Sequence, residues 1–141
     1  MGRVKFYLDS NVFIFAEISN EKIGEDARRV IRNLEKFTGV ISSLIVDEVI
    51  WVIKKEIDYP SAITVGEKMF ELPLKIVPVS PDTVFSAFKF MRKYGIKPRD
   101  CIHISCMLEN NVKTIVTEDL DFMKVKEIKV LPISELIRTY L

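Results

Sequence analysis

Short apolar runs alternate with longer segments of helical periodicity along this chain, and that alternation constrains the fold more than any other feature. The apolar runs predict strands at residues 4–8, 40–41, 75–79, 114–117 and 129–131. The helical patterns lie at residues 25–37, 43–56, 61–72, 81–94, 99–110 and 132–140. Strands that alternate with helices form mostly parallel sheets covered on both faces. The sequence therefore predicts an α/β fold: a three-layer sandwich around a central, mostly parallel sheet of about five strands.

The length and the composition favour one intracellular domain over residues 1–141. Hydrophobic residues make up 48% of the 141 positions, which is enough for a core. No apolar run approaches the roughly 20 residues that a membrane-spanning helix needs, and the start of the chain does not resemble a secretion signal. Cys101 and Cys106 fit free thiols in a reducing compartment. We therefore expect a cytoplasmic protein without a membrane segment.

The charges of the chain nearly cancel. Lysine and arginine number 21 against 20 aspartates and glutamates, for a net charge of +1. This balance excludes a strongly basic surface that binds nucleic acid everywhere. It is compatible with an acidic pocket inside a basic rim.

Three aspartates follow predicted strands. Asp9 comes directly after the first apolar run, and Asp119 and Asp121 come shortly after the fourth. In parallel sheets, ligands bind beyond the carboxyl ends of the strands. These acids are therefore expected at a crevice in the sheet.

Two further acids occupy unusual helical positions. Glu48 falls on the apolar face of its predicted helix, whereas its neighbour Asp47 points toward the polar side. A carboxylate on a buried face must be paired, protonated or bound to a cation. Asp100 lies in the first turn of the helix that Pro98 begins, where negative charge is favourable.

Each acid by itself also fits a simpler role, as a helix cap, an edge residue or a charge at a helix start. Together, Asp9, Glu48, Asp100 and Asp119 predict converging carboxylates, whose mutual repulsion a divalent cation would remove. Oxygen ligands fit Mg²⁺ or Mn²⁺ better than Zn²⁺ when no cluster of histidine and cysteine is present. The lone His103 is interpreted as structural, with a spacing that permits contact with Asp100.

These acids lie within segments that resemble the PIN domain family, and most closely its small VapC-type toxins. The matching segments are YLDSNVFI at residues 7–14, the acid Glu48, RDCIHISCMLENNVKTIVTEDLDF at residues 99–122, and the final strand and helix. The resemblance covers the whole chain. It implies a metal-dependent ribonuclease whose catalytic and metal-binding acids are Asp9, Glu48, Asp100 and Asp119.

The resemblance also implies supporting residues. Thr117 matches a hydroxyl residue that orients the carboxylates, and Asn11 matches a polar position beside the first acid. Asp121 competes with Asp119 for the role of fourth acid. Asn111 stands in a pair of asparagines where such chains often have glycine, and asparagine tolerates a left-handed conformation.

RNA, an antitoxin protein and a second copy of the chain are the expected partners. Single-stranded or looped RNA would be the substrate, since an exposed strand can enter a crevice that a duplex cannot. Lys97 and Arg99 are the candidate phosphate contacts, and Lys5 and Lys124 are also near the acids in sequence. The antitoxin is expected to place a basic side chain among the acids.

Apolar residues such as Ile102 and Phe13 are expected to be exposed and to help form the contact with the antitoxin. The chain is also expected to form a homodimer, as the resemblance implies.

Two other classes of function share single features with this sequence. A phospho-aspartyl phosphatase or receiver domain also has an aspartate after its first strand, but the phosphatase needs a second aspartate where Asn11 stands. A receiver needs an aspartate after its third strand, and here none occurs before Asp82, which follows a proline. A catalytically inactive PIN-like scaffold would keep the fold, but it has no need of all four acids.

Overall fold

The computed structural model describes residues 3–141, so Met1 and Gly2 of the predicted domain lie outside the described residues. The strands are β1 (Lys5–Leu8), β2 (Thr38–Ser42), β3 (Leu74–Val77), β4 (Thr114–Val116) and β5 (Lys129–Leu131). The helices are α1 (Ser10–Ile18), α2 (Lys22–Arg32), α3 (Ser43–Glu56), α4 (Tyr59–Glu71), α5 (Pro81–Tyr94), α6 (Pro98–Glu109) and α7 (Ile133–Tyr140). Short 3₁₀ turns occupy Leu34–Lys36 and Leu120–Lys124.

All five strands of the described region form one parallel sheet in the order β3-β2-β1-β4-β5. Strand β1 lies at its centre, with Tyr7 opposite Val40 on one side and Ile115 on the other. The chain leaves β1 toward β2 and β3, and later returns to the far side of β1 as β4. The carboxyl ends of β1 and β4 therefore form a topological switch point, where parallel sheets open a crevice.

Helices cover the sheet and confirm the predicted α/β sandwich. One group consists of α1 to α4 together with α7, and α5 packs against α6. Phe6, Tyr7 and Leu8 of β1 and Ile115 and Val116 of β4 are buried completely or nearly so. Both faces of the central strands are thus covered, as apolar parallel strands require. Within residues 3–141, no helix is both long enough and apolar enough to span a bilayer.

Several element boundaries differ from the sequence-based expectation. The helix predicted at residues 25–37 begins at Lys22 and ends at Arg32, because Asn33 leaves helical geometry and a 3₁₀ turn follows it. Helix α1, which follows Asp9, was not among the predicted helices. Strand β3 lies at the edge of the sheet and ends before Pro78, as a residue without a backbone N–H favours. Asn111 adopts the expected left-handed conformation with φ 56°.

Replacement by alanine should affect the stability of the protein much more at one buried helical glycine than at another. A Cβ at Gly24 would overlap the backbone carbonyl of Ser19, whereas one at Gly66 would meet only the Ile50 side chain at 3.3 Å. We expect Gly24→Ala to lower the free energy of unfolding by about 1–3 kcal/mol through overpacking. Gly66→Ala should change it by less than about 1 kcal/mol, because the helix propensity of alanine offsets the tighter contact. Urea unfolding followed by circular dichroism measures both, and equal losses would contradict this difference.

Candidate functional site

Asp9 lies at the switch point and is held through both carboxylate oxygens. It is 6% exposed and caps α1, with Oδ1 accepting from the Ser10 backbone N–H at 2.8 Å. Its Oδ2 accepts from the Thr117 hydroxyl at 2.6 Å and from the Asn11 amide at 3.3 Å. The carboxylate therefore serves as a helix cap and as a side chain of the crevice at the same time.

Thr117 connects the ends of β1 and β4. Its hydroxyl oxygen accepts from the Asn11 side chain and from the Asp119 backbone N–H, each at 3.0 Å, while its proton goes to Asp9. The side chain is 1% exposed. A single buried hydroxyl thus fixes Asp9, Asn11 and the start of the segment that carries Asp119.

Glu48 lies on α3, the helix that directly follows β2. Both of its carboxylate oxygens lie 3.0–3.1 Å from Nε2 of His103 on α6. Arg99 Nε lies 3.5 Å from Oε2, with its side chain 54% exposed. One ligand atom from each of Asp9, Glu48 and His103 can be chosen so that all three lie within 4.8 Å of one another.

A second group of acids gathers around Asp100. Ligand atoms of Asp100, Asp119 and Asp121 also lie within 4.8 Å of one another. Asp119 caps the following 3₁₀ turn, with Oδ1 accepting from the Asp121 backbone N–H at 3.0 Å. Asp121 Oδ1 lies 3.8 Å from Lys124 Nζ, and its side chain is 43% exposed. Both candidates for the fourth acid therefore lie beside Asp100.

The two groups of acids interact electrostatically. Burial raises the pKa of Asp100 to about 6, and the charges of Asp119, Asp9 and Glu48 add to the rise. Burial also raises the pKa of Asp9, against the hydrogen bond from Thr117. Among the charges that raise the pKa of Asp100, Asp119 acts most strongly, and Asp121 lies within the same 4.8 Å group, so the fourth acid stays open between these two aspartates. Both groups therefore face one crevice in which negative charge is unfavourable.

The donor set of the crevice fits a hard divalent cation. Asp100 Oδ2 and Asn11 Oδ1 are buried and have no hydrogen-bond partner within the described part of the chain. A buried acceptor without a donor costs free energy, and a cation can supply the missing interaction. The acceptors are carboxylate and amide oxygens, which are the ligands that Mg²⁺ and Mn²⁺ prefer.

The basic residues predicted for substrate contact lie beside the crevice. An open cavity of about 550 Å³ is lined by Lys97, Pro98 and Arg99 together with Leu44 and Ile102. Both basic side chains are exposed. Ile102, expected to be exposed, is half-buried.

Phe13 was wrongly expected to be exposed. It is 3% exposed, because its face of α1 turns toward the core. Its remaining surface lines a separate groove beside α2 and α4.

The comparison with protein families decides the assignment. The family model described as the PIN domain matches residues 6–128. The chain belongs to the PIN domain family. The matched range includes Asp9, Glu48, Asp100 and Asp119. No curated protein sequence matches the chain.

Solved structures of low sequence identity share the fold of this PIN domain. VapC20 of Mycobacterium tuberculosis, a sarcin–ricin loop cleaving toxin, is 11% identical with a TM-score of 0.73, covering 84% of this chain and 92% of its own. DNA-bound VapBC from Salmonella typhimurium is 18% identical with a TM-score of 0.72 and coverages of 92% and 98%. VapBC-1 from nontypeable Haemophilus influenzae is 20% identical with a TM-score of 0.69 and coverages of 93% and 99%.

Sequence reasoning missed the surroundings of Glu48 in this PIN domain. His103 contacts Glu48 rather than Asp100, and its other ring nitrogen contacts Tyr7. The spacing of Asp100 and His103 indicated only that the two residues lie close together on one helix. The partner of the imidazole lies 55 residues away, and nothing local in the sequence identifies it.

Replacing Asp100 by asparagine should stabilise the metal-free protein near pH 7.5. The pKa of Asp100 is raised from 3.8 to about 6 in the folded protein, so stability that is fully present below pH 4 is lost as the pH rises from about 4 to about 6, and it stays lost above pH 6. The asparagine variant avoids that charge, and we expect a gain of about 1 kcal/mol after solvent screening and loss of the helix-start interaction are allowed for. The gain should shrink at pH 5, where the folded wild-type carboxyl is largely protonated.

Urea unfolding in the presence of a chelator measures this difference at both pH values. Asp47→Asn is the matched control, because Asp47 is exposed on α3 and its replacement should change stability by less than about 0.5 kcal/mol. An Asp100→Asn protein that is less stable than wild type at pH 7.5 would show that repulsion does not govern the site.

Proposed function

We propose that this protein is a Mg²⁺- or Mn²⁺-dependent endoribonuclease and the toxin of a type II toxin–antitoxin pair. Its metal-binding and catalytic acids would be Asp9, Glu48, Asp100 and Asp119. The observation that carries the proposal is the buried Asp100 oxygen, which has no donor among residues 3–141 and belongs to a carboxyl whose pKa is raised by burial and, in addition, by three further carboxylates. Such an arrangement is unfavourable in the absence of a cation and favourable around one.

The contacts of the residues around the acids indicate the role of each. A divalent ion supplies, when bound, a Lewis acid that activates water and stabilises negative charge on a phosphodiester. Thr117 and Asn11 would hold Asp9 in place, because both donate to its Oδ2. Asp121 would support Asp119 by presenting its backbone N–H to that carboxylate.

The RNA is proposed to approach over Lys97 and Arg99. Both side chains are exposed and line one cavity, and Arg99 also lies 3.5 Å from Glu48 through an ion pair that is mostly open to solvent. Arginine matches phosphate geometry through paired donors, whereas lysine acts as a point charge. The similarity to a toxin that cleaves the sarcin–ricin loop supports RNA as the substrate class.

The second candidate is an inactive scaffold with the same fold. The low identity to the similar structures leaves activity to experiment, since those similarities concern the fold alone. The phosphatase and receiver alternatives lose their basis with the family assignment, and Asn11 contacts Asp9 where a phosphatase requires an aspartate.

Metal-dependent RNA cleavage by the purified protein tests the proposal. We expect cleavage of an RNA pool with Mn²⁺ or Mg²⁺, loss with a chelator, and recovery when Mn²⁺ is restored. Asp9→Asn and Asp100→Asn should each lower the rate by at least about 100-fold, as removal of electrostatic groups near a reacting centre typically does. Circular dichroism should show that both variants remain folded.

Asp47→Asn is again the control and should retain activity, because the side chain is exposed beside Glu48 on the same helix. Cleavage that survives chelation, or that persists unchanged in both site variants, would contradict the assignment. A folded wild type that binds Mn²⁺ but cleaves no RNA would favour the scaffold.

The partner is proposed to be an antitoxin that covers the crevice and reaches an adjacent groove. A groove of about 280 Å³ has apolar walls that include Phe13, Val65 and Met69. Its rim is mostly basic: it includes Arg28, Arg32 and Lys68, and one acid, Glu17, which lies 3.3 Å from Lys68. This chemistry fits an amphipathic segment with acidic residues. Structures of VapBC pairs among the similar folds support a partner of this class. A cytoplasmic location follows from the proposed RNA substrate, and the homodimer stays a prediction.

Charge reversal at the groove rim should weaken the partner complex. We expect the product of the adjacent reading frame to co-purify with this chain when the two are co-expressed. Arg32→Glu combined with Lys68→Glu should weaken that complex about tenfold or more at low salt, through slower association. Arg92→Glu, an exposed change on α5, is the control. A chain that purifies as an unassociated, fully active monomer would count against both the partner and the dimer.

A further inference from the structure

His103 is buried completely in the site, yet the proposed reaction gives it no role. It is the single histidine of the sequence and is 0% exposed. Its Nε2 lies 3.0 and 3.1 Å from the two oxygens of Glu48, and its Nδ1 lies 2.7 Å from the Tyr7 hydroxyl. Both ring nitrogens are therefore engaged.

Tyr7 extends this contact to the start of α3. Its hydroxyl oxygen lies 2.8 Å from Ser42 Oγ, and Ser42 caps α3 by accepting from the Ile45 backbone N–H at 3.4 Å. Glu48 lies in the second turn of that same helix. The row Ser42–Tyr7–His103–Glu48 thus joins the end of β2, the centre of β1, helix α6 and helix α3.

The hydrogen bonds of this row fix the proton at Nε2. If the Tyr7 hydroxyl donates to Ser42, Nδ1 must donate to Tyr7, and Nε2 must also carry a proton to meet the Glu48 carboxylate. If Tyr7 instead donates to Nδ1, the neutral ring carries its one proton on Nε2. Both arrangements place a donor on Nε2, because an ionised carboxylate only accepts.

We propose that His103 is a positioning residue that holds the Glu48 carboxylate in the crevice, and that it is not itself a metal ligand. The proposal rests on the proposed function in taking Glu48 as one of the metal-binding acids. Although His103 can join Asp9 and Glu48 within 4.8 Å, a protonated Nε2 has no lone pair for a cation. Side chains that orient metal-ligating groups are typically worth about 10–100-fold in metal affinity or activity.

A purely structural role explains the row less well. A buried imidazole facing a carboxylate contributes little net stability, and apolar replacements of such pairs are often neutral or stabilising. Glu48 reaches the crevice from one flank of the sheet, and Arg99, its other charged neighbour, is mostly exposed. His103 is therefore the rigid contact that determines where Glu48 points.

Nuclear magnetic resonance tests the proton directly. Because the chain has one histidine, the imidazole signals of ¹⁵N-labelled protein need no assignment. We expect Nε2 to be protonated in the metal-free protein and to keep its proton at saturating Mg²⁺. An Nε2 that is unprotonated in metal-free protein, or that loses its proton on addition of Mg²⁺, would overturn the proposal.

Mn²⁺ affinity measured by calorimetry tests the positioning. His103→Leu should weaken binding about 10–100-fold, and His103→Gln, whose amide can still donate to Glu48, should recover most of that loss. On a Glu48→Gln background, His103→Leu should have no further effect, since its target is gone. Ser105→Ala is the control and should bind normally, because this buried hydroxyl on α6 has no partner in the described structure.

Tyr7→Phe provides a second variant if His103→Leu does not fold. It removes one hydrogen bond from the ring while keeping the aromatic volume, and should weaken Mn²⁺ binding about threefold to tenfold. Unchanged affinity in this variant, or an equal loss on the Glu48→Gln background, would overturn the role of His103.

The outcomes separate this proposal from the ribonuclease assignment. If Mn²⁺ binds with the expected coupling between His103 and Glu48 but RNA is not cleaved, only the ribonuclease assignment is contradicted. If RNA is cleaved but His103 and Glu48 are not coupled in Mn²⁺ binding, only the positioning role of His103 is contradicted. Absence of Mn²⁺ binding overturns both.

Discussion

Carboxylates withdrawn from water at one edge of a parallel sheet are the constraint on which this crevice depends. Burial, with repulsion among the carboxylates added to it, raises the pKa of Asp100 to about 6, so the folded chain carries charge there only at a penalty. The chain limits that penalty at Asp9 and Glu48, whose carboxylate oxygens all have close hydrogen-bonding neighbours, such as the Ser10 N–H and the Thr117 hydroxyl on Asp9. Asp100 Oδ2 is left without one. The site is therefore stabilised incompletely from within, which is the condition under which a bound cation contributes most.

Capping and site formation are the same interactions in this fold. Asp9 ends β1 and caps α1, and Asp119 follows β4 and caps a 3₁₀ turn. A capping carboxylate lies at a helix start, and in a parallel sheet the helix starts collect at the carboxyl ends of the strands. At the switch point, an aspartate can therefore be a helix cap and a side chain of the crevice at the same time. Local energetics hold the acids in place, and the topology brings them together.

The sequence predicted the fold and the acids for the same physical reason, namely that both depend on short-range patterns. Alternating apolar runs predict the parallel sheet, and an aspartate after an apolar run marks a strand end, as Asp9 does. Phe13 was wrongly expected to be exposed because helix α1 was not predicted. Without that helix, the sequence did not indicate which side chains of the segment face the core. The partner of His103 was beyond prediction, since Glu48 lies on another element and only the packing of α6 beside α3 brings the two side chains together. Contacts across elements carry no local signal.

The first turn of α6 explains how one short segment serves both groups of acids. Asp100 joins Asp119 and Asp121, while Arg99 and His103, one helical turn apart, both contact Oε2 of Glu48. The two contacts differ in kind: the imidazole is fully buried, and the guanidinium is 54% exposed. Exposed ion pairs contribute little and exchange readily with solvent, whereas a buried hydrogen bond that breaks leaves an unpaired group. Glu48 thus has one fixed contact and one replaceable contact, and His103 keeps its carboxylate in place when Arg99 moves.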